Sequence, residues 1–366
     1  MKIIAKREAI LSPLQAVIGV VERKQTMPIL ANVLLAAKGG KLSITATDLE
    51  VELVATSDVD VQRGGEITVP GRKLLDICRA LPEAAEITLT LEGERMLVRA
   101  KKSRFTLSTL PAAEFPTVEE INADQTLTLA QKDFKRLLDK THFSMAQQDV
   151  RYYLNGLLLE TSAKLLRTVA TDGHRLALCE TDLPAGGKPG QQVIIPRKGV
   201  LELQRILGNE EGAVELSIGT NHIRVKIDEI RFTSKLIDGR FPEYSRVIPA
   251  EPPRVIAAVR DDLRQALQRA AILSNEKYRG IRFALKPNAL VIQSHNPEQE
   301  EAEEEVEVTY EGDEIEIGFN VNYLLDALAA VDGTEVQIGL TDGNSSCLIK
   351  AGADGSARYV VMPMRL

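Results

Sequence analysis

Asp172-Gly173-His174-Arg175 sets a carboxylate and an imidazole two positions apart, the groups a general acid and base would need. A second candidate is the run Glu298, Glu300, Glu301, Glu303, Glu304, Glu305 and Glu307, because clustered carboxylates can hold a catalytic metal ion. Neither is supported by its surroundings. The other histidines, His142, His222 and His295, have no repeated partner. No G-x-S-x-G, phosphate loop or zinc spacing occurs, and Cys78, Cys179 and Cys347 match no metal-ligand pattern. The Asp-Gly-His-Arg segment reads as a tight turn between strands that can also serve binding, and the glutamate run as a charged strand or loop. The expectation is a non-enzyme with no cofactor and no metal.

The whole chain bounds these readings. Its 366 residues suit two or three domains, and 27% charged with 44% hydrophobic residues describes a globular protein. Three cysteines make no disulfide framework and suit a reducing cytosol. The start, MKIIAKREAI, lacks the apolar core of a signal peptide, and no apolar run approaches the ~20 residues of a membrane span. A cytoplasmic protein with no membrane partner is expected. With no Trp and 4% aromatics, a base-stacking surface is not expected. The net charge of -7, taken as a sum, argues against nucleic acid.

The elements that carry these residues recur. Thr47-Asp48 returns as Thr171-Asp172 and, more weakly, as His295-Asn296, each 124 residues on. Val69, Ile195 and Phe319 open equivalent segments at spacings of 126 and 124, and Pro116, Pro242 and Pro363 close others. Three such triplets in one order imply three homologous domains of about 122 residues, with boundaries at 1–123, 124–250 and 251–366. Alternating runs such as KLSITATDLEVELVAT and AEITLTLEG read as antiparallel strands. Each third also holds two amphipathic helical patterns, counted as 7–24 and 71–80, 131–140 and 197–207, and 259–275 and 320–331. In 71–80, Leu74, Leu75, Ile77 and Cys78 would face a sheet while Arg72, Lys73 and Arg79 face away. The fold class is α+β, each domain an antiparallel sheet with two helices.

Charge follows these elements. The six helical patterns carry +7 within a chain of -7, leaving -14 elsewhere. One reading is that Lys and Arg simply solvate the helices; the other, which the repeat supports because equivalent helices face the same way in homologous domains, is one shared surface suited to weak, sequence-independent phosphate contact. Arg95, Arg99, Lys101, Lys102 and Arg104 form a basic segment without acids near one end, opposite in sign to the glutamate run near the other. These segments read either as two solvated loops or as a head-to-tail joint between two chains that propagates as a filament or closes as a ring, with Phe105, Leu107, Ile272 and Leu273 as candidates for its apolar centre and Arg95, Lys102, Arg104, Glu298, Glu300, Glu301 and Glu304 for its rim.

DVRYYLNG (149–156), RTVATDGHRLA (167–177), FTSKLIDGRFPEY (232–244), AILSNEKYRG (271–280), NPEQEEAEE (296–304) and YVVMPMRL (359–366) resemble the sliding-clamp family of bacterial DNA polymerase III beta subunits, over the full chain. The resemblance implies a head-to-tail homodimer of three-domain chains, a six-domain ring around duplex DNA. Twelve helices at roughly 10 Å spacing give a circumference of about 120 Å and a free bore of about 28 Å, enough for a duplex and water. It implies a processivity factor that tethers the replicative polymerase, an ATP-driven clamp loader, and translesion polymerases and repair proteins as partners. Arg23, Lys24, Gln148, Tyr152 and Tyr153 match positions near the DNA path, while charge on helices and loops adds Arg72, Lys73, Arg79, Lys198, Arg205 and Arg246. Family partners insert a short peptide with Gln and bulky apolar residues into a cleft. The matching positions are Leu154, Thr171, Gly173, His174, Arg175, Leu176, Pro242, Val247, Val360, Met362, Pro363, Met364 and Arg365, with Arg151, Tyr323 and Ser346 at the margin. Asn344 is more polar than expected beside such a cleft. The rival reading is a protein-binding scaffold that shares the cleft and never encircles DNA.

Overall fold

The structure, a computed structural model, describes all residues except 22–26, 119–120, 184–186, 353–354 and 366. Six α-helices are present among the described residues: α1 (Arg7–Val17), α2 (Gly71–Ala80), α3 (Gln131–Asp139), α4 (Arg197–Ile206), α5 (Arg260–Ala271) and α6 (Val321–Ala330). Each directly follows a strand, and all strand pairing is antiparallel. The α+β architecture and its recurring strand–helix step therefore agree with the sequence periods.

α1 is shorter than its apolar pattern. It ends at Val17, and 17–21 tighten into turns in which Val20 N–H bonds Val17 and Val21 N–H bonds Ile18. A Cβ at Gly19 would lie 2.3 Å from Oε2 of Glu202, so the glycine leaves room for the Glu202 and Arg205 side chains against these turns. The net +1 counted over 7–24 thus belongs to 22–24, outside the described residues, and α1 itself is balanced by Arg7 and Glu8. Pro13 inside α1 cannot donate to the Ala9 carbonyl, and the Ser57 hydroxyl supplies the missing bond at 2.6 Å.

By its contacts the chain divides into two compact units, 1–135 with 201–236, and 136–200 with 237–366. This differs from a cut at every repeat because strands from neighbouring thirds share sheets. In the first unit, Ile230–Lys235 pairs with Val51–Asp58 and fuses two four-stranded halves into an eight-stranded sheet. In the second, Arg175–Asp182 pairs with Ala357–Val361 to the same effect. Each unit also holds a smaller sheet. One has five strands and ends at the edge strand Ser103–Ser108; the other has four and ends at Glu301–Glu307.

The cores lie between helices and sheets. Leu74, Leu75 and Cys78 of α2 are buried while Lys73 and Arg79 are exposed, and Ile77 is half-buried. Ile3, Ile10 and Leu14 are fully buried around α1, each stabilising the fold by roughly 1.5–3 kcal/mol relative to exposure. The glutamate run forms a strand because it alternates: Glu301, Glu303, Glu305 and Glu307 are exposed on one face, and Ala302, Glu304 and Val306 lie on the other.

Candidate functional site

The Thr-Asp repeat is a local hydrogen-bond device. Thr171 Oγ1 donates to the Arg175 carbonyl at 2.6 Å, and Asp172 Oδ1 accepts from the N–H groups of His174 and Arg175 at 2.9 and 3.1 Å. Thr47 and Asp48 repeat this set with Val51 at 2.9 and 2.7 Å. At the third position Asn296 Oδ1 accepts from Glu300 N–H at 2.9 Å in a wider turn, which explains the weaker sequence match. Gly173 takes φ +89°, and a Cβ there would meet the Arg151 guanidinium at 2.9 Å.

That turn frames a cavity of about 1240 Å³ in the second unit. Of the residues expected at the cleft, all but His174 and Tyr323 line it; those two line an adjoining cavity of about 460 Å³ that shares Arg175. The C-terminal tail is held as one wall, with Met362 N–H bonded to His174 O at 3.0 Å and Met364 N–H to Gly318 O at 2.9 Å. Leu176 and Val360 are buried at the cavity floor, whereas Met362 and Val247 are half exposed, so an apolar surface is open to a ligand.

Its arginines are not equivalent. Arg175 is saturated: Nε meets Asp172 at 3.1 Å, Nη1 meets Asp326 at 2.5 Å, Nη2 donates to the Phe143 carbonyl at 2.7 Å, and the guanidinium lies 4.5 Å from the Tyr323 ring centroid. It frames the cleft rather than offering a free charge. Arg151 forks onto Asp149 at 3.1 and 2.9 Å. Those bonds, with the Arg151 N–H, hold the Asp149 carboxyl down at about 2. The same loop is braced by Asp149 N–H to Asn155 Oδ1 and Asn155 Nδ2 to Asp149 O, both at 2.9 Å.

Sequence reasoning missed one wall of the cavity, Glu243, Tyr244, Ile248 and Pro249, and its far end, Arg282, Glu316, Ile317, Gly318, Thr341, Gly343 and Ser345. Tyr244 and Pro249 fall in the FPEY segment and its continuation, the available signal; the far end comes from two strands and the turn that follows Glu335–Leu340 and has none. Asn344 lines this end beside Ser346. Arg246, expected near DNA, also lines the cavity and pairs with Glu243 at 3.3 Å.

The candidate nucleic-acid residues divide in the same way. Arg23 and Lys24 lie outside the described residues. Arg72 donates from Nη2 to the Val21 carbonyl at 2.5 Å, and Arg205 bonds Glu202 at 2.9 Å while its other nitrogens reach the carbonyls of Gln15 and Ala16. Arg205 thus holds the last turn of α1, and Arg72 the turn that follows it. Lys73 and Arg79 are exposed with no ion pair among the described residues. Lys198 is half-buried and Gln148 exposed. Tyr152 is exposed, its ring edge-on to Tyr153 at 5.8 Å.

At the strand edges, Arg95, Lys102, Arg104, Glu298, Glu300 and Glu301 are exposed and Phe105 is half-buried. Leu107 is 7% exposed, already part of its own core, while Ile272 is 76% exposed beside half-buried Leu273. Glu304 is bound by Arg269 at 2.8 and 2.7 Å, which lowers its pKa and leaves it the least available of the rim carboxylates.

Comparisons with known proteins cover the entire chain. Models of the N-terminal, central and C-terminal domains of the DNA polymerase III beta subunit match residues 1–119, 128–243 and 245–365. The beta sliding clamp of Pseudomonas putida is 55% identical over 362 residues, covering 99% of both chains, and that of Escherichia coli is 54% identical over 368 residues, covering 100% of both. The crystal structure of the DNA polymerase III subunit beta from Pseudomonas aeruginosa superposes with a TM-score of 0.98 at 53% identity, covering 100% of both chains. The chain belongs to the DNA polymerase III beta subunit family, and with it shares the function of a DNA sliding clamp and processivity factor.

Proposed function

We propose that two copies of this chain join head to tail into a closed ring around duplex DNA, each built of domains 1–123, 124–250 and 251–366. The observation that carries this reading is a rule of strand pairing. The last strand of the central third, Ile230–Lys235, pairs with Val51–Asp58 of the first third. The last strand of the final third, Ala357–Val361, pairs with Arg175–Asp182 of the central third. Continuing the rule leaves Ser103–Ser108 of the first third and Glu301–Glu307 of the last third as edges. Pairing them between two chains makes a third fused sheet, with Arg95, Lys102 and Arg104 facing Glu298, Glu300 and Glu301, and Ile272 covered by Phe105.

The ring does no chemistry and takes no cofactor. It holds DNA topologically, and the weak phosphate contacts of Lys73 and Arg79 let it slide. The cleft around Leu176, Val360 and Met362 receives a partner peptide, so a bound polymerase gains a high effective concentration at the primer end. Translesion polymerases and repair proteins compete for that cleft in the cytoplasm, and an ATP-driven loader opens the ring for entry.

The test is topological. Protein loaded onto nicked circular DNA with loader and ATP should remain bound, and should be lost when the circle is cut. Equal retention on linear DNA would overturn the ring and leave a scaffold that binds DNA or its partners without encircling.

A further inference from the structure

A row of polar side chains crosses the eight-stranded sheet of the second unit. Gln192, Glu160, Arg167 and Glu180 stand directly opposite one another on four successive strands, and Arg358 lies diagonal to Glu180 on the fifth. Gln192 Nε2 donates to Glu160 at 2.7 Å, Arg167 donates to Glu160 at 3.0 Å and to Glu180 at 2.9 Å, and Arg358 donates to Glu180 at 3.1 Å. Half-buried ion pairs of this kind stabilise a fold little once desolvation is counted. Their placement points to another role.

The next row on the same face is apolar, with Leu158, Val169 and Leu178. Tyr244 lies across both rows. Its ring packs on the apolar cluster, its hydroxyl donates to Glu160, and Arg167 Nη1 donates to that hydroxyl at 2.8 Å. Burial, then the bond to Glu160, pushes the phenol up to about 12, so it remains a donor at neutral pH. Tyr244 belongs to the segment 242–249 that forms one wall of the cleft. The backbone bonds of that segment, Arg246 N–H to Glu243 and Val247 N–H to Tyr244, stay within its own turn.

We propose that Glu160, Arg167 and Tyr244 are positioning residues for the cleft: the ladder fixes the 242–249 wall at a preset distance from the tail, so that a peptide binds without ordering the wall first. This rests on the peptide-cleft reading. The probe is a fluorescein-labelled peptide carrying Gln and two bulky apolar residues, titrated against the full chain by anisotropy. Tyr244→Phe keeps the ring and removes the hydroxyl; it should weaken binding by roughly five- to twentyfold, the net effect of losing its bonds to Glu160 and Arg167. Hydrogen exchange at the Val247 amide should rise with it, while the unfolding midpoint moves little. Glu160→Leu should act like Tyr244→Phe, and Glu160→Gln, which keeps an acceptor, should restore most of the affinity. Wild-type binding that is abolished by deleting 362–366 but unaffected by Tyr244→Phe and Glu160→Leu would overturn the positioning role alone. Failure of the wild-type chain to bind, or binding indifferent to the tail, would overturn the cleft reading and this inference with it.

Discussion

Arg205 donates from Nη1 to the carbonyl oxygen of Gln15 at 2.9 Å, across 190 residues of sequence. A second nitrogen reaches Ala16, and Nε is held by Glu202 at 2.9 Å. Gln15 and Ala16 lie in the last turn of α1, whose carbonyls have no partner within the helix. A guanidinium there satisfies two of them and complements the negative end of the helix dipole.

Arg205→Ala should therefore lower stability by about 1 kcal/mol, the scale for a half-exposed charge-assisted bond. Arg205→Lys should recover little, because one ammonium cannot reproduce the planar fork. Urea unfolding measures this. The salt dependence of DNA affinity should stay as in wild type. A shallower salt slope at unchanged stability would place Arg205 on the DNA instead.

The exposed Ile272 beside Leu273 should carry the joint between chains. Ile272→Ala with Leu273→Ala removes apolar area from each joint and should raise the dimer dissociation constant more than about tenfold. Sedimentation velocity over a dilution series reads the change. An unaltered profile at low concentration would remove these residues from the joint.

Deleting residues 362–366 takes away the bonds of Met362 to His174 and of Met364 to Gly318, and with them one cleft wall. Stimulation of the polymerase should be lost while the dimer persists. Loss of the dimer as well would make the tail a structural strap rather than a binding wall.

The loop beside the cleft should report a low carboxyl pKa. Arg151 holds Asp149 at about 2, so the ionised form and its bonds persist as pH falls through the usual carboxylate range and are lost only on approaching pH 2. Carbon-13 NMR titration of Asp149 should give a midpoint near 2. In Arg151→Ala it should return toward the usual range. A wild-type midpoint already in that range would mean that the Arg151 fork does not persist in solution.

What the sequence determined by itself was local or periodic. The Thr47-Asp48 and Thr171-Asp172 turns are legible because their hydrogen bonds close within four residues. The faces of α2 are legible because the 3.6-residue period separates Leu74, Leu75 and Cys78 from Lys73 and Arg79. The resemblance carried by the tail and the Thr-Asp-Gly-His-Arg turn marked part of the cavity lining, among it Thr171, Gly173, Arg175 and Met362.

Only the tertiary structure decided which of those charges are free and which strands share a sheet. Arg72 and Arg79 are alike on a helical wheel, yet one is bonded to the Val21 carbonyl and the other is exposed. Ile230–Lys235 joins Val51–Asp58 through backbone groups that every residue but proline carries alike, so the seam leaves no signature in the side chains. Tyr244 gains its place in the cleft wall the same way, from Glu160 and Arg167 on strands that sequence distance keeps apart and hydrogen bonding brings together.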